Sequence, residues 1–316
     1  MNILITGSRG FIGSSLIDFF LKKNHQIKAL SRHKGQSDDN LQFISFDWDF
    51  SDDFLSNFSN VDVVIHTAGI NAIDSNNNPH AALHFNGLKT MELLQGCLKK
   101  GVKKIIYFST AHVYTDNFEN KYITEENCVT NFQPYATSHR SGEDSIIYAD
   151  KKNYIEGYVI RLSNSFGYTN IYNKNAWNLI INNFCLQAIK TKRIDIISNT
   201  NQIRNFISIS NICNCLEFII NYKRPINYFD IFENSIFNLG SNISYSITDL
   251  AELVSNRYEK IFNQKILINR NNLNSESKIF FSYSQNKINK LGFHTNNDFI
   301  EVIDLILTKL NSDEQD

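Results

Sequence analysis

The first thirteen residues constrain the fold of this chain more than any other stretch. Met1–Thr6 is short, largely aliphatic and uncharged, as a buried strand requires, and it runs straight into Thr6-Gly7-Ser8-Arg9-Gly10-Phe11-Ile12-Gly13. An amphipathic stretch from Ser14 to Asn24 follows at once and reads as a helix. Strand, glycine-rich turn and helix in immediate succession are the setting in which glycines at this spacing bind a dinucleotide. Gly7 permits the tight turn, Gly10 lets backbone N–H groups approach a diphosphate, and Gly13 lets the helix lie close on the strand. Arg9, Phe11 and Ile12 fill the rest of the turn, and the helix N-terminus adds unpaired donors and a positive dipole end.

A second strand, His25–Leu30, ends at Ser31 and Arg32. In folds of this kind that strand end reaches the adenosine ribose, where an acidic side chain accepts from both hydroxyls and repels a 2′-phosphate. Ser31 and Arg32 stand there instead, with Arg9 in the preceding turn. Two guanidiniums suit a phosphate dianion, so NADP is favoured over NAD. Asp47 follows a third strand, Leu41–Phe46, at a place where it would meet the adenine amino group. A fourth strand, Val61–His66, leaves through Thr67-Ala68-Gly69, which is small enough for backbone to pass a cofactor.

The pattern continues with a helix over Asn86–Lys100 closed by Gly101, a strand at Val102–Ser109, a helix at Tyr135–Tyr148 opened by Pro134, and a strand at Tyr158–Leu162. Strands alternating with helices predict an α/β fold, a Rossmann-type doubly wound parallel sheet, over residues 1–165. From 166 to 316 the pattern loosens. Tyr168–Asn175 is polar and aperiodic, a loop suited to cover a site. Asn178–Ile189 and Ile247–Lys260 read as helices, Arg204–Ile209 as a strand feeding a helix, and Phe237–Gly240 as a strand end. This half reads as a smaller C-terminal substrate-binding lobe, partly interleaved with the first.

Composition excludes several classes. Thirty-one basic residues against thirty-two acidic ones point to neither nucleic acid nor an anionic membrane. Cys97, Cys128, Cys185, Cys213 and Cys215 are odd in number and lack paired spacing, which argues against a disulfide framework and a metal site. No apolar run approaches the ~20 residues of a membrane span, and a strand beginning at residue 2 leaves no room for a signal peptide. A cytoplasmic protein is expected.

The residues resemble the extended short-chain dehydrogenases, specifically the NAD-dependent epimerase/dehydratase family whose members act on nucleotide sugars. The likeness covers nearly the whole chain. It rests on Thr6–Gly13, His66–Gly69, Asn86–Thr90, Ser109-Thr110-Ala111-His112-Val113-Tyr114, Pro134–His139, Arg161–Gly167, Arg204–Ile207 and Phe237–Gly240, in that order and at these spacings. The resemblance implies hydride exchange at a sugar carbon. Tyr135 would be the acid/base, and Thr110, twenty-five positions earlier, would hydrogen-bond the same substrate oxygen. Asn86 would join the cofactor site. Arg204 would meet the substrate diphosphate, with Arg270 a weaker candidate, and Asn164 would touch the substrate.

Two positions depart from the family. Its Tyr-x-x-x-Lys pair places a lysine one helical turn after the tyrosine, holding the nicotinamide ribose and lowering the tyrosine pKa; here that position is His139. A histidine can donate to the ribose but is usually neutral, so proton abstraction should be weaker. Arg140 lies about 100° further round the helix and is a poor substitute. His112 stands where family members with a second proton transfer carry an extra acid/base, so it either performs that step or merely lines the pocket. The expected function is therefore an NADP-preferring nucleotide-sugar ketoreductase. An epimerase with tightly held NAD is the first alternative, and a cofactor-binding sensor with little turnover the second. The family also implies a homodimer through the helices near 86–100 and 135–148, and a place in surface-polysaccharide sugar synthesis.

Overall fold

The computed structural model describes residues 1–32, 35–119, 121–168, 174–197, 203–270 and 280–314. In chain order its strands are β1 (Asn2–Thr6), β2 (Gln26–Ser31), β3 (Leu41–Ser45), β4 (Val63–His66), β5 (Lys104–Thr110), β6 (Lys121–Ile123) and β7 (Glu156–Leu162), then β8 (Asn164–Phe166), β9 (Arg193–Ile196), β10 (Ile203–Ser208), β11 (Ile236–Leu239), β12 (Ser244–Ser246), β13 (Leu267–Arg270) and β14 (Phe281–Tyr283). The chain divides into two compact units. The first comprises Met1–Asp116, Glu125–Leu162 and Leu216–Asn238; the second comprises Asn117–Thr124, Ser163–Cys215 and Leu239–Asp316.

The first unit is built on a seven-stranded sheet in the order β11-β7-β5-β4-β1-β2-β3. Every pairing from β3 through to β7 is parallel. Each residue of β4 and β5 is buried, because helices cover both faces of a parallel sheet; this is why VVIH and KIIYFST read as continuous rather than alternating runs. The chain passes from β1 outward to β2 and β3, then returns to β4 on the other side of β1. That reversal leaves a crevice beyond the carboxyl ends of β1 and β4, where the glycine turn and Thr67-Ala68-Gly69 both lie. The segment 216–238 is held by two buried cations. Lys104 Nζ donates to the carbonyls of Ile219 (2.8 Å) and Tyr222 (2.9 Å), closing a helix end. The Arg224 guanidinium lies over the rings of Tyr158 and Tyr228, 4.3 Å from each centroid, and pairs with Asp150.

The second unit pairs β12-β10-β8, β13-β9 and β14-β6. Its core gathers Phe166, Phe184, Phe206, Leu250, Tyr258 and Ile303 from these strands and from helices Ile180–Thr191, Ile247–Phe262 and Phe299–Asp313. Buried Asn205 fastens the turn after β11, donating to Ser241 O (2.8 Å) and accepting from Ser241 N (3.0 Å).

The Rossmann-type α/β architecture expected from the sequence is the observed one. The element edges differ where capping decides them. The first helix begins at Phe11 rather than Ser14, because Gly10 serves as N-cap through its backbone. The helix expected over Asn86–Lys100 is instead π-helical from Leu83 to Lys89 and α-helical only from Thr90 to Lys99. Helix Pro134–Lys151 runs three residues past Tyr148. The strand Asn164–Phe166 and the helix Phe299–Asp313 had no counterpart in the sequence reading. The loop expected at Tyr168–Asn175 lies mostly outside the described residues. Among the described residues, no helix is long and apolar enough to cross a membrane.

Candidate active site

The glycine turn is shaped for close backbone approach. Gly7 sits at φ +65°, and a Cβ there would lie 2.7 Å from Ala68 N. A Cβ on Gly13 would lie 2.3 Å from Gly7 O, so the helix can start against the turn only if residue 13 is glycine. Gly10 N donates to Gly7 O (2.8 Å), and no side chain caps the helix that follows, leaving its N-terminus to a ligand. Thr67 Oγ1 donates to Thr6 O (2.7 Å) and ties the ends of β1 and β4 together. Phe11 is buried and Ile12 half-buried, so both contribute backbone rather than side chain. These residues fit a dinucleotide diphosphate.

At the adenosine end, Ser31 is half-buried and Arg32 exposed, and the Arg9 guanidinium lies over the Phe43 ring at 5.8 Å. Asp47 is exposed and accepts from Asp49 N (3.3 Å).

The candidate reacting groups lie at the end of β5 and the start of helix Pro134–Lys151. Pro134 occupies the first turn of that helix, where its missing N–H costs nothing, and Tyr135 follows. Thr110 closes β5; its Oγ1 accepts from His112 N (3.1 Å), and its hydroxyl lies near enough to the Tyr135 hydroxyl to affect its pKa. Burial raises the Tyr135 pKa, and the neighbouring Thr110 hydroxyl opposes the rise only in part. One turn on, His139 packs its ring edge-on against Tyr135, centroids 4.7 Å apart. His139 is buried and desolvation lowers its pKa to about 4, so the imidazole is neutral at pH 7. A Cβ on Gly69 would lie 3.5 Å from His139 Cε1 and 3.4 Å from Asn86 Oδ1, which places all three at one edge of the crevice. Asn86 is buried in the π-helical turn, accepting from Ile70 N (2.8 Å) and donating to Ser138 Oγ (3.0 Å). His112 is exposed, its ring 6.3 Å from that of Tyr135.

The structure adds residues that sequence reasoning missed. Behind His139 runs a buried polar chain. Thr6 Oγ1 meets His66 Nδ1 (2.7 Å), His66 Nε2 meets Thr90 Oγ1 (2.9 Å), and Tyr107, its ring 5.4 Å from that of His66, meets His139 Nδ1 (3.0 Å). Desolvation, with the nearby His139 second, lowers the His66 pKa to about 3. A histidine and a tyrosine within otherwise apolar parallel strands were the available signal.

Asn164, Arg204 and Arg270 belong to the second unit. Asn164 Nδ2 donates to Asn205 O (2.9 Å), joining β8 to β10. Arg204 is half-buried opposite Tyr245 on β12, and desolvation lowers its pKa. Arg270 is exposed and paired with Glu252. Among the described residues, no group of three or more His, Cys, Asp or Glu side chains is placed to hold a metal.

Comparison with known proteins gives the family and the fold. Residues 3–240 match the model of the NAD dependent epimerase/dehydratase family. A putative UDP-glucose 4-epimerase of Methanocaldococcus jannaschii is 26% identical over 258 residues, covering 80% of this chain and 81% of that one. A dTDP-D-glucose 4,6-dehydratase of Dictyostelium discoideum is 27% identical over 282 residues, covering 80% and 61%. In fold, the chain is similar to a UDP-N-acetylglucosamine 4-epimerase from Methanobrevibacter ruminantium solved with UDP-N-acetylmuramic acid (TM-score 0.82, 19% identity, 100% and 99% covered). It is also similar to a UDP-glucuronic acid 4-epimerase from Bacillus cereus solved with NAD (TM-score 0.78, 19% identity, 99% and 97% covered). A glycine turn open to a dinucleotide, a Thr110–Tyr135 pair beside it, and a family match over three-quarters of the sequence lead to one assignment: the chain belongs to the NAD-dependent epimerase/dehydratase family.

Proposed function

We propose that this protein is a nucleotide-sugar epimerase that retains NAD through its catalytic cycle. The observation that carries the reading is the placing of the Thr110 hydroxyl near enough to the Tyr135 hydroxyl to lower its pKa, at the edge of the glycine cradle, in a chain whose relatives include UDP-sugar 4-epimerases. Bound NAD would supply reversible hydride exchange at a sugar carbon. Tyr135 takes the proton of the hydroxyl on that carbon and later gives it back, while Thr110 holds the same oxygen in line. His139 donates to the cofactor ribose. Arg204 on β10 is the candidate for the diphosphate of the substrate, with Asn164 on the neighbouring strand β8, and Arg270, already paired with Glu252, is the weaker choice.

A second reading is an NADPH-dependent ketoreductase. It is favoured by a raised Tyr135 pKa beside a neutral His139, a pair better suited to giving a proton to a ketone than to taking one from an alcohol. Arg9 and Arg32, with no carboxylate at the end of β2, suit the 2′-phosphate of that coenzyme. His112 is a candidate for a second proton transfer in either reading.

One experiment separates them: incubation of the purified protein with UDP-hexoses, with and without added coenzyme, followed by product NMR. Interconversion without added coenzyme supports the epimerase. No interconversion, together with NADPH consumption by a 4-keto sugar nucleotide, supports the reductase. Coenzyme binding with neither activity leaves the cofactor-binding sensor. We further propose a homodimer through the 83–99 and 134–151 helices, where Leu83, Leu88 and Met91 are exposed; a monomer by light scattering at micromolar concentration would overturn it.

A further inference from the structure

His139 is one of the two positions that set the chain apart from the family it resembles, and buried polar groups surround it. The proton positions along the buried chain follow from donor and acceptor capacity. Thr90 donates its only hydroxyl proton to Asn86 O (2.7 Å), so it accepts from His66 Nε2. His66 Nδ1 then accepts from Thr6 Oγ1, which itself accepts from Ala68 N (3.3 Å). His66 is thereby satisfied as a neutral ring.

Tyr107 has one proton to give. Its hydroxyl lies 3.0 Å from His139 Nδ1 and 3.3 Å from His139 O. A phenol is a stronger donor than an imidazole N–H, and a bare imidazole nitrogen is a stronger acceptor than a phenol oxygen. The shorter contact therefore carries the Tyr107 proton to Nδ1, and the ring's own proton goes to Nε2. The backbone makes room for this contact: a Cβ on Gly142, in the helix that bears His139, would lie 2.6 Å from Tyr107 Oη. Any larger residue at 142 would push the hydroxyl away. The opposite edge of the His139 ring, with Cε1 and Nε2, faces Gly69 at the crevice.

We propose that Tyr107 is a positioning residue that holds His139 as its Nε2–H tautomer, so that position 139 offers the crevice a neutral N–H donor in place of a fixed cation. The inference rests on His139 facing the bound cofactor, as in the function proposed above. It makes the orientation of the tautomer, rather than a charge, the contribution of residue 139, and it makes that contribution independent of pH across the neutral range.

The test is long-range 15N–1H NMR of the full chain labelled with 15N-histidine, with His139→Gln assigning the resonance. The expected result is a neutral Nε2–H ring at residue 139 from pH 5.5 to 8. In Tyr107→Phe the two tautomers mix, and kcat with the sugar nucleotide falls about tenfold with KM unchanged. A wild-type Nδ1–H tautomer, or a Tyr107→Phe protein with the wild-type tautomer and kcat, overturns the proposal. The wild-type spectrum decides the question even where the variant does not fold. Because the tautomer is read without sugar, a failed epimerase or reductase assay leaves this result standing.

Discussion

The ring of His139 meets the ring of Tyr135 edge-on, with centroids 4.7 Å apart and planes inclined by 77°. Spacing of four on one helix brings the two side chains to the same face, where Tyr135 has the neutral His139 and Thr110 beside it instead of a cation. Tyr135→Phe keeps the ring packing and removes only the hydroxyl. Turnover should fall by about 10²- to 10⁴-fold while the melting temperature and coenzyme affinity stay as they were. Steady-state kinetics with a calorimetric titration check this; a variant with wild-type turnover removes Tyr135 from the mechanism.

Thr110 has two duties, at the tyrosine and at His112 N. Thr110→Val should lower kcat by roughly 10- to 100-fold and cost about 1 kcal/mol of stability by uncapping the turn, and Thr110→Ser should restore both. Failure of serine to rescue would mean that the methyl group, not the hydroxyl, matters.

The two buried histidines set an acid limit on stability. Both are depressed from 6.5, His139 to about 4 and His66 to about 3. Below pH 6.5 the unfolded chain binds protons that the folded chain refuses. Their contribution is therefore complete above pH 6.5 and lost as the pH falls toward 4 for His139 and toward 3 for His66. The expected slope is up to about 1.4 kcal/mol per pH unit for each ring. Urea unfolding of wild type and His139→Gln between pH 7 and 4.5 should show a shallower decline in the variant. Parallel curves would place His139 in contact with water.

Arg161 and Glu143 form a bidentate pair, 3.0 and 2.7 Å, with both side chains buried and the guanidinium 4.6 Å over the Tyr114 ring. Arg161→Met alone strands a buried carboxylate and should cost about 3–5 kcal/mol, whereas Arg161→Met with Glu143→Leu should recover most of that loss. Denaturation of the three proteins gives the comparison, and a double variant no better than the single one contradicts it.

Gly13→Ala places a carbon 2.3 Å from Gly7 O, an atom of backbone that cannot rotate away. The turn has to open, so coenzyme affinity should fall at least tenfold with smaller damage to the sheet. Fluorescence titration of NAD and NADP into the variant reads this directly, and unchanged affinity for both would mean that the diphosphate lies elsewhere.

Much of this protein was legible along the chain because its signals are local. Gly7, Gly10 and Gly13 imply a turn whatever surrounds them, and alternating apolar strands and helices imply the parallel sheet. Pro134, Tyr135 and His139 share one helix, so their relation follows from helical spacing alone. Tertiary structure decided what depends on contacts between distant segments. No local pattern shows that His66 on β4 and Tyr107 on β5 reach toward Thr90 and His139, because strands buried on both faces lose the alternation that marks a side chain's direction. The π-helical turn that aims Asn86 at Ile70 and Ser138 is likewise invisible to a pattern with a period near 3.6. The charge at position 139 was also undecided by residue type, since a histidine is cation or neutral donor according to its solvent; burial beneath the helix made it neutral.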